Sequence, residues 1–279
     1  MGLYLRPRNV DEAVAALNGG DMTIIAGGTD HFPVRVGRAL DEDILDVTGI
    51  AGLKGISEGD DAWRIGAATT WTDLVETPLP PLFDGLKRAA REVGGVQIQN
   101  AGTIAGNVCN ASPAADGIPA LMAMNAWIEL KNAGGTVSMP VRDFVLGNRK
   151  TWRRSGDLVT AITVPKPRHP ARSHFLKLGA RRYLVISIVM VGVTLEIDAG
   201  NVGRAAVVVG ACSPVARHLR SLEDELAGRK VDGALGEEVR PEHLAMLTPI
   251  DDVRASAEYR LEAALTAVRR ALNETGSLT

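Results

Sequence analysis

The sequence predicts an α+β protein built from several compact sections. Short apolar runs typical of strands, such as 22–25 and 158–164, are interspersed with amphipathic segments typical of helices. Glycine pairs, as at 19–20 and 134–135, separate these segments and mark turns. The chain has 279 residues, of which 46% are apolar, so it can bury a sizeable core in one large domain or two to three small ones.

The first section, about residues 1–52, is predicted to form a small βαβ-like unit. Its first helix is amphipathic and ends where two glycines break the pattern. The strand that follows runs directly into a glycine-rich loop. The predicted elements are a helix over 10–17, a strand over 22–25, a loop over 26–30, a short helix over 32–36 and a strand over 43–47.

The second section, about residues 53–168, is predicted to mix strands and helices. Thr72 is a candidate N-cap, because a threonine hydroxyl can accept a hydrogen bond from a first-turn amide. Pro80 and Pro81 precede an amphipathic helix, and the glycine pair at 134–135 marks a hairpin. The predicted elements are strands over 63–67, 127–130, 136–141 and 158–164, and helices from Thr72, over 82–90 and over 118–124.

A third section, residues 169–279, follows a proline-rich boundary at 165–170. Two β-rich runs, 185–197 and 202–209, predict a hairpin, and 253–272 predicts a helix. The nearly uncharged run 183–195 is too short to span a bilayer and is interpreted as a buried strand. The apolar stripe of the final helix is predicted to comprise Leu261, Leu265, Val268 and Leu272.

Composition excludes several classes of function. The formal net charge of −2 gives no overall field that recruits nucleic acid or an acidic membrane, and 4% aromatic residues argue against base-stacking platforms. Cys109 and Cys212 lack the spacing of an iron–sulfur or zinc site. No signal peptide is apparent, so a reduced, cytoplasmic setting is expected.

Two glycine-rich loops, 26–30 and 103–107, are the main functional signal. Glycine permits positive φ and close approach of another group to the main chain. The amides of Gly27, Gly28 and Thr29 in one loop, and those of 104–107 in the other, are predicted to bind phosphate oxygens without a lysine. Either loop alone is compatible with an ordinary tight turn. The pair predicts a bound dinucleotide.

Other nucleotide and catalytic signatures are absent from the sequence. There is no GxGxxG after a strand, no GxxxxGK[ST] and no GxSxG, so a Rossmann site, a P-loop and an α/β-hydrolase are not expected. The histidines have no metal-ligand spacing, and no acid–base pair stands out. We therefore predict no catalytic side chain and no metal site, but a bound redox cofactor.

Four separated motifs together resemble the FAD-binding subunit of molybdenum hydroxylases. That group includes the medium subunits of carbon monoxide dehydrogenases and the flavin part of xanthine dehydrogenases. The resemblance extends from about residue 1 to residue 275, with the motifs in the family's order and spacing. The motifs are 24–30 (IIAGGTD), 99–107 (QNAGTIAGN), 111–116 (ASPAAD) and 175–177 (FLK).

The resemblance implies a two-part FAD-binding domain of the vanillyl-alcohol-oxidase (PCMH) type over 1–168, divided near residue 52. A smaller α+β domain over 169–279 would follow it. The two loops would hold the pyrophosphate and riboses, Asp116 would accept hydrogen bonds from cofactor hydroxyls, and Val159 would contact the cofactor through its backbone. The implied cofactor-binding residues are Ile24, Ile25, Ala26, Gly27, Gly28, Thr29, Asp30, His31, Thr103, Ile104, Ala105, Gly106, Asn107, Asp116, Val159, Lys177 and Ile186.

Three of these assignments have structural alternatives. Asp116 is also a candidate N-cap, Lys177 a candidate solvated strand lysine, and Ile186 a candidate core residue. Ala105 stands where the family usually has glycine, and it costs roughly 1 kcal/mol if that position needs positive φ. Cys109, just past the second loop, is interpreted as a small buried residue rather than a redox thiol.

Basic residues are concentrated between Arg149 and Arg182. They form either a solvated face or a docking surface for an acidic partner subunit. The stretch includes Lys150, Arg153, Arg154, Lys166, Arg168, Arg172 and Arg181.

The leading hypothesis is an electron-transfer flavoprotein subunit. By resemblance, a partner chain would carry molybdopterin and a second partner would carry [2Fe-2S] clusters. Electrons would pass from those clusters through FAD in this chain to NAD⁺, a quinone or O₂. Two other hypotheses keep the fold: a flavin-free structural or assembly subunit, favoured only by Ala105, and a stand-alone flavin-dependent reductase, for which no proton donor is identified.

Overall fold

The first section of the chain forms a three-stranded parallel sheet with one helix against it. The computed structural model describes residues 2–37, 41–181 and 184–277, so Arg182 and Tyr183, which limit two of the predicted segments, lie outside the described residues. The strands pair in the order β1-β3-β2. The elements are β1 (Tyr4–Leu5), α1 (Val10–Gly19), β2 (Thr23–Ile25) and β3 (Ile44–Asp46).

Helix α1 shows why this unit folds as the sequence predicts. The Asn9 side chain accepts a hydrogen bond from the amide of Glu12 and so caps the first turn. Val14 and Leu17 are buried on the inner face. The predicted helix over 32–36 is shorter, a 3₁₀ turn at Pro33–Arg35.

The second section has an antiparallel five-stranded sheet with helices around it. Its strands pair in the order β4-β5-β10-β6-β7. The elements are β4 (Ile56–Glu58), β5 (Ala62–Gly66), α2 (Trp71–Glu76), α3 (Asp84–Glu92), α4 (Val96–Ala101), α5 (Ile104–Asn110), α6 (Gly117–Ala123), β6 (Trp127–Asn132), β7 (Gly135–Pro140), α7 (Val141–Phe144), β8 (Val145–Gly147), β9 (Lys150–Thr151) and β10 (Leu158–Pro165).

The N-cap of α2 is Thr70 and not the predicted Thr72. Thr70 accepts from the amide of Asp73, and Asp73 accepts from the amide of Thr70, which completes a capping box. The helix therefore begins two residues earlier than a cap at Thr72 allows.

The third section is a four-stranded sheet covered by a long helix. Strand β12 begins at Val189, later than predicted, and the hairpin turns through Ala199 and Gly200, both with positive φ. The sheet order is β11-β12-β13-β14. The elements are β11 (Ala171–Leu178), β12 (Val189–Asp198), β13 (Asn201–Gly210), β14 (Arg217–His218), α8 (Arg220–Leu226) and α9 (Ala257–Ser277).

Helix α9 starts later and is rotated relative to the prediction. Ser256 accepts a hydrogen bond from the Tyr259 amide, so the regular turns begin at Ala257 rather than at residue 253. Leu261 is exposed, and Leu265 is only partly buried. The buried face is made mainly of small residues, which allows the helix to lie close to the sheet: Ala264, Ala267, Val268, Ala271 and Leu272.

The second and third sections share a core. A Cβ added to Gly192 of β12 would lie 2.6 Å from the Pro119 carbonyl oxygen of α6, so this crossing requires glycine. The Ser173 hydroxyl of β11 donates to the Leu82 carbonyl (2.6 Å) and accepts from the Gly85 amide (2.8 Å). Within the described residues no helix is both long and apolar enough to cross a membrane.

Candidate functional site

A cleft of about 870 Å³ lies where the three sections meet. Its walls come from the loop after β2, from α5, from the start of β10, from the end of β11 and from residues 184–186, which precede β12. All the residues assigned to the cofactor by sequence line this cleft except Ile104. Ile104 is the first residue of α5, and its side chain is fully buried in the core.

The first loop presents unpaired amides to the cleft. The Phe32 amide donates to the Gly28 carbonyl (3.1 Å), which closes one turn. No intramolecular acceptor among the described residues engages the amides of Gly28 and Thr29. Gly28 has φ +67°, and a Cβ there would overlap the Phe32 ring, so this turn requires glycine. The prediction of a backbone donor loop is thus consistent with the geometry.

The second loop differs from its prediction because it is the N-terminus of helix α5. Thr103 is the N-cap, and its hydroxyl accepts from the Gly106 amide (3.0 Å). The Ile104 amide donates to the Thr69 carbonyl and the Asn107 amide donates to the Thr103 carbonyl, each at 3.1 Å. Of the amides predicted to be bare here, only that of Ala105 has no acceptor among the described residues.

The two loops touch each other. A Cβ on Gly27 would overlap the carbonyl of Ala101, and a Cβ on Gly102 would lie 3.3 Å from the Thr29 hydroxyl. Both glycines therefore allow the segment before α5 to pack directly on the first loop. The donors of the two loops face one cleft, as the sequence analysis expected.

The backbone strain that we anticipated at Ala105 is absent. Ala105 lies in the first turn of α5 and is not among the described residues with positive φ. Its side chain is buried against the core. The one sequence feature that favoured a flavin-free subunit therefore has no structural basis.

Asp116 and Lys177 form a buried ion pair in the wall of the cleft. Lys177 Nζ donates to Asp116 Oδ2 (2.8 Å) and to the Glu92 carbonyl (3.0 Å), and its side chain is only 5% exposed. The Ser187 hydroxyl donates to Asp116 Oδ1 (2.8 Å). Burial raises the pKa of Asp116 above its ordinary value, while Lys177 and Ser187 oppose that shift.

The structural alternatives given for Asp116, Lys177 and Ile186 are all wrong. The Asp116 side chain does not cap α6, because it bonds Lys177 and Ser187 instead. Lys177 is not a solvated strand lysine. Ile186 is not a core residue, since it lines the cleft with 63% of its surface exposed.

Val159 and Cys109 complete the comparison with the predicted site. Val159 precedes a bulge in the β10–β6 pairing, which interrupts the ladder beside the cleft. Cys109 lines the cleft, and burial raises the pKa of its thiol to about 11, so it stays protonated. Cys109 packs against the core but is only partly buried, so it is not the buried residue that the sequence predicted.

Sequence reasoning missed three cationic residues of the cleft, Arg35, Arg149 and Arg153. Arg35 pairs with Glu42 at 2.7 Å, whereas neither of the other two guanidinium groups forms an ion pair with a carboxylate within the described residues. Arg149 has φ +53° and donates to Asn110 Oδ1 (3.0 Å), while Arg153 donates to the Asp157 carbonyl (3.3 Å). The predicted basic face is therefore divided: these two arginines face the cleft, whereas Lys166 pairs with Glu58 at 2.8 Å.

The cleft fits a dinucleotide carrying two phosphate charges. Two unpaired arginines and the bare amides of the first loop provide positive potential.

The buried Nε2 of His31 has no normal hydrogen bond and lies 3.5 Å from Glu42 Oε1. Other lining residues that the sequence analysis did not assign include Val93, Gly94, Ile98, Asn110, Thr151, Leu184 and Val185.

Comparison with known proteins agrees with this geometry. Residues 1–167 match the family model described as the FAD binding domain in molybdopterin dehydrogenase. Residues 174–275 match the model described as the CO dehydrogenase flavoprotein C-terminal domain.

Individual relatives cover most of the chain. The glyceraldehyde dehydrogenase medium chain of Sulfolobus acidocaldarius is 28% identical, with 97% of each chain covered. The nicotinate dehydrogenase FAD-subunit of Eubacterium barkeri is 30% identical, with 81% of this chain and 79% of that one covered. A solved structure of reconstituted CO dehydrogenase from Oligotropha carboxidovorans has a TM-score of 0.90 and 26% identity, and covers 99% of this chain and 98% of that one.

Proposed function

The chain belongs to the family of FAD-binding medium subunits of molybdenum hydroxylases, and we propose that it passes electrons through FAD between a partner chain and an external acceptor. One observation carries the proposal. Residues from three distant parts of the chain line a single cleft: 24–31, Thr103 with 105–107, and Lys177 with 184–186. Their arrangement suits a long, charged ligand that contacts all three sections.

We propose that the first loop and α5 hold the pyrophosphate. Gly28 and Thr29 offer amide donors, Ala105 offers one more, and Arg149 and Arg153 offer charge. The proposed binding set comprises the predicted residues that line the cleft. In it, Asp116 would accept hydrogen bonds from cofactor hydroxyls, and Val159 would contact the cofactor through its own backbone. Ile104 does not line the cleft, and its role in the set is to anchor the first turn of α5 in the core.

We propose that the part of the cleft lined by Lys177 and Ile186 holds the flavin ring. FAD, when bound, would accept electrons one at a time from [2Fe-2S] clusters and release them singly or in pairs. Lys177 is a cation held by Asp116, so it can stabilise negative charge next to it without moving. Ile186 provides apolar surface that excludes water there.

We propose that the electron donor is a partner subunit with [2Fe-2S] clusters and that a second partner binds molybdopterin. The printed names of the relatives, medium chain and FAD-subunit, describe parts of larger enzymes. Within the described residues no group of three or more histidine, cysteine or acidic side chains lies close enough to hold a metal ion. The proposed acceptor is NAD⁺, a quinone or O₂.

The boundary after residue 168 and the cytoplasmic location remain predictions. A division near that residue follows the sheet architecture, because β10 ends the second sheet and β11 begins the third.

The test is stopped-flow spectroscopy of the complex purified with its partners. Substrate should bleach flavin absorption near 450 nm, and each candidate acceptor added anaerobically should restore it at its own rate. In a complex without the iron–sulfur chain, dithionite should still bleach the flavin while substrate should not. Bleaching by a nicotinamide donor and turnover of an enol by the isolated chain would instead support the stand-alone reductase.

A further inference from the structure

Residues 186–188 belong to the third section and lie at the cleft wall, with Ile186 lining the cleft and Ser187 and Ile188 directly after it. Ile186 lines the cleft, and the Ser187 hydroxyl donates to Asp116. Ser187 is fully buried, and the Ile188 amide donates to the Leu178 carbonyl (2.8 Å). The position of this short segment therefore determines both the apolar wall and the orientation of the Asp116–Lys177 pair.

Two arginines from a distant part of the chain hold this segment from behind. Arg254 Nη1 donates to the Ser187 carbonyl (3.1 Å). Arg260 Nη1 donates to the Ile188 carbonyl (2.8 Å) and to the Ala211 carbonyl (3.2 Å). The carbonyls of the two residues that follow Ile186 are thus bound by cationic donors, which form stronger hydrogen bonds than neutral ones.

Asp252 fixes both guanidinium groups. Its Oδ1 accepts from Arg260 Nη2 (2.8 Å), and its Oδ2 accepts from Arg254 Nε (3.0 Å). The Arg260 side chain is fully buried, so it depends on this counter-charge. None of Asp252, Arg254 and Arg260 lines the cleft. Their contacts reach it only through the backbone of 187–188.

We infer that Arg254 and Arg260, joined by Asp252, are positioning residues for the flavin cleft. They set the Ser187 hydroxyl on Asp116 and hold Ile186 in the wall. This inference rests on the proposed function, since it concerns the same cleft. A purely structural role in the third section is the competing explanation.

Arg269 offers a matched control for that explanation. It donates through Nε (3.1 Å) and Nη2 (2.8 Å) to the Val239 carbonyl, so it too binds a backbone carbonyl of the third section. Neither Arg269 nor Val239 lines the cleft. Removing it should reduce stability without moving the cleft wall.

The experiment measures the FAD dissociation constant, by quenching of flavin fluorescence, and the free energy of unfolding in full-length variants. Arg254→Ala should raise the dissociation constant about tenfold, whereas Arg269→Ala should change it less than about twofold. Arg254→Ala in a Ser187→Ala background should add less than it does alone, because the hydroxyl it positions is already gone. If Arg254→Ala does not fold, Arg254→Lys is measured against the same threshold.

The outcomes separate the two proposals. Equal dissociation constants for the Arg254 and Arg269 variants, or full additivity with Ser187→Ala, would overturn the positioning role alone. Failure of the unaltered chain to bind FAD would overturn the proposed function, and the positioning role with it.

Discussion

At the scale of single residues, the account depends on positions where only a small side chain or a bare amide is possible. Gly27 is the clearest, because a Cβ there would overlap the backbone of Ala101 and Gly102, next to the start of α5. Backbone atoms cannot move aside as a flexible side chain can. The contact between the two loops thus depends on one missing methyl group.

We expect Gly27→Ala to weaken FAD binding at least about tenfold and to lower the free energy of unfolding by about 1–3 kcal/mol. The two loops would have to separate to accommodate the methyl group. Fluorescence titration and urea denaturation provide the two measurements. Gly19→Ala is the control, because a Cβ there meets nothing within 4 Å and the residue ends a helix. Equal affinity of both variants for FAD would show that the loop contact is dispensable.

Ala105→Gly tests the conformation of the second loop. Because Ala105 is helical and buried, we expect glycine to lower the free energy of unfolding by about 1 kcal/mol. A position that needed positive φ would instead gain stability on the same substitution. A urea midpoint higher than that of the unaltered chain would contradict the helical assignment.

Arg153→Gln should weaken FAD binding and reduce its dependence on salt, because Arg153 faces the cleft without a carboxylate partner among the described residues. Arg154→Gln removes the same charge from the adjacent residue, which is exposed and stacks over the Trp152 ring at 4.6 Å. Fluorescence titrations at low and high ionic strength compare the two. Identical losses of FAD affinity in the two variants would mean that Arg153 acts only through its long-range charge.

The sequence predicted most of the cleft residues because their motifs are local and contiguous. The strand-to-glycine transition at 24–30 follows from composition alone. Arg149 and Arg153 could not be predicted in the same way. They belong to a long basic run, and only the tertiary fold places Arg149, in the turn of the β8–β9 hairpin, and Arg153, two residues after β9, at the cleft rather than Lys150 or Arg154.

At the scale of elements, the errors concern where helices begin. The loop at 103–107 was interpreted as a turn because of its glycine, yet Thr103 before Ile104 is an ordinary N-cap signature. Thr70 with Asp73 three residues later is a capping box, which could have been recognised in the sequence. Helix α9 begins after Ser256 for the same reason. In all three helices a local capping residue in the sequence determines where the helix begins.

The link between residue 252 and the cleft wall could not be predicted. No local pattern indicates that Arg254 reaches Ser187, because 67 residues separate them in the sequence. The hydrogen bond from Arg254 lowers the pKa of Asp252 far below its ordinary value. That shift predicts a pH dependence.

An acid whose pKa is lowered on folding contributes stability above its unfolded pKa, about 3.9 for aspartate, and loses that contribution as the pH falls toward the folded value. We therefore expect Asp252→Asn to be less stable than the unaltered chain at pH 7, with the difference narrowing below about pH 4. Urea midpoints measured from pH 7 to pH 3 provide the test. A difference that stays constant over this range would contradict the assigned ion pair.

At the scale of the whole molecule, the third section is part of the cleft and not an appendage. Lys177 and Ile186 come from it, and it packs on the second section through Gly192 at Pro119. Sequence patterns predicted the sections one by one, but the way they pack together depends on tertiary contacts that have no local signature. The family resemblance supplied that arrangement as an expectation.

The most direct measurement is amide hydrogen exchange of the full chain with and without FAD. Cofactor binding should slow exchange in 26–31, at the start of α5 around Ala105 and in 184–186, because these backbone segments line the cleft. Segments far from it, such as α8, should not change. Protection confined to other parts of the chain, with 26–31 exchanging at the same rate in both states, would contradict the assignment of this cleft to the cofactor.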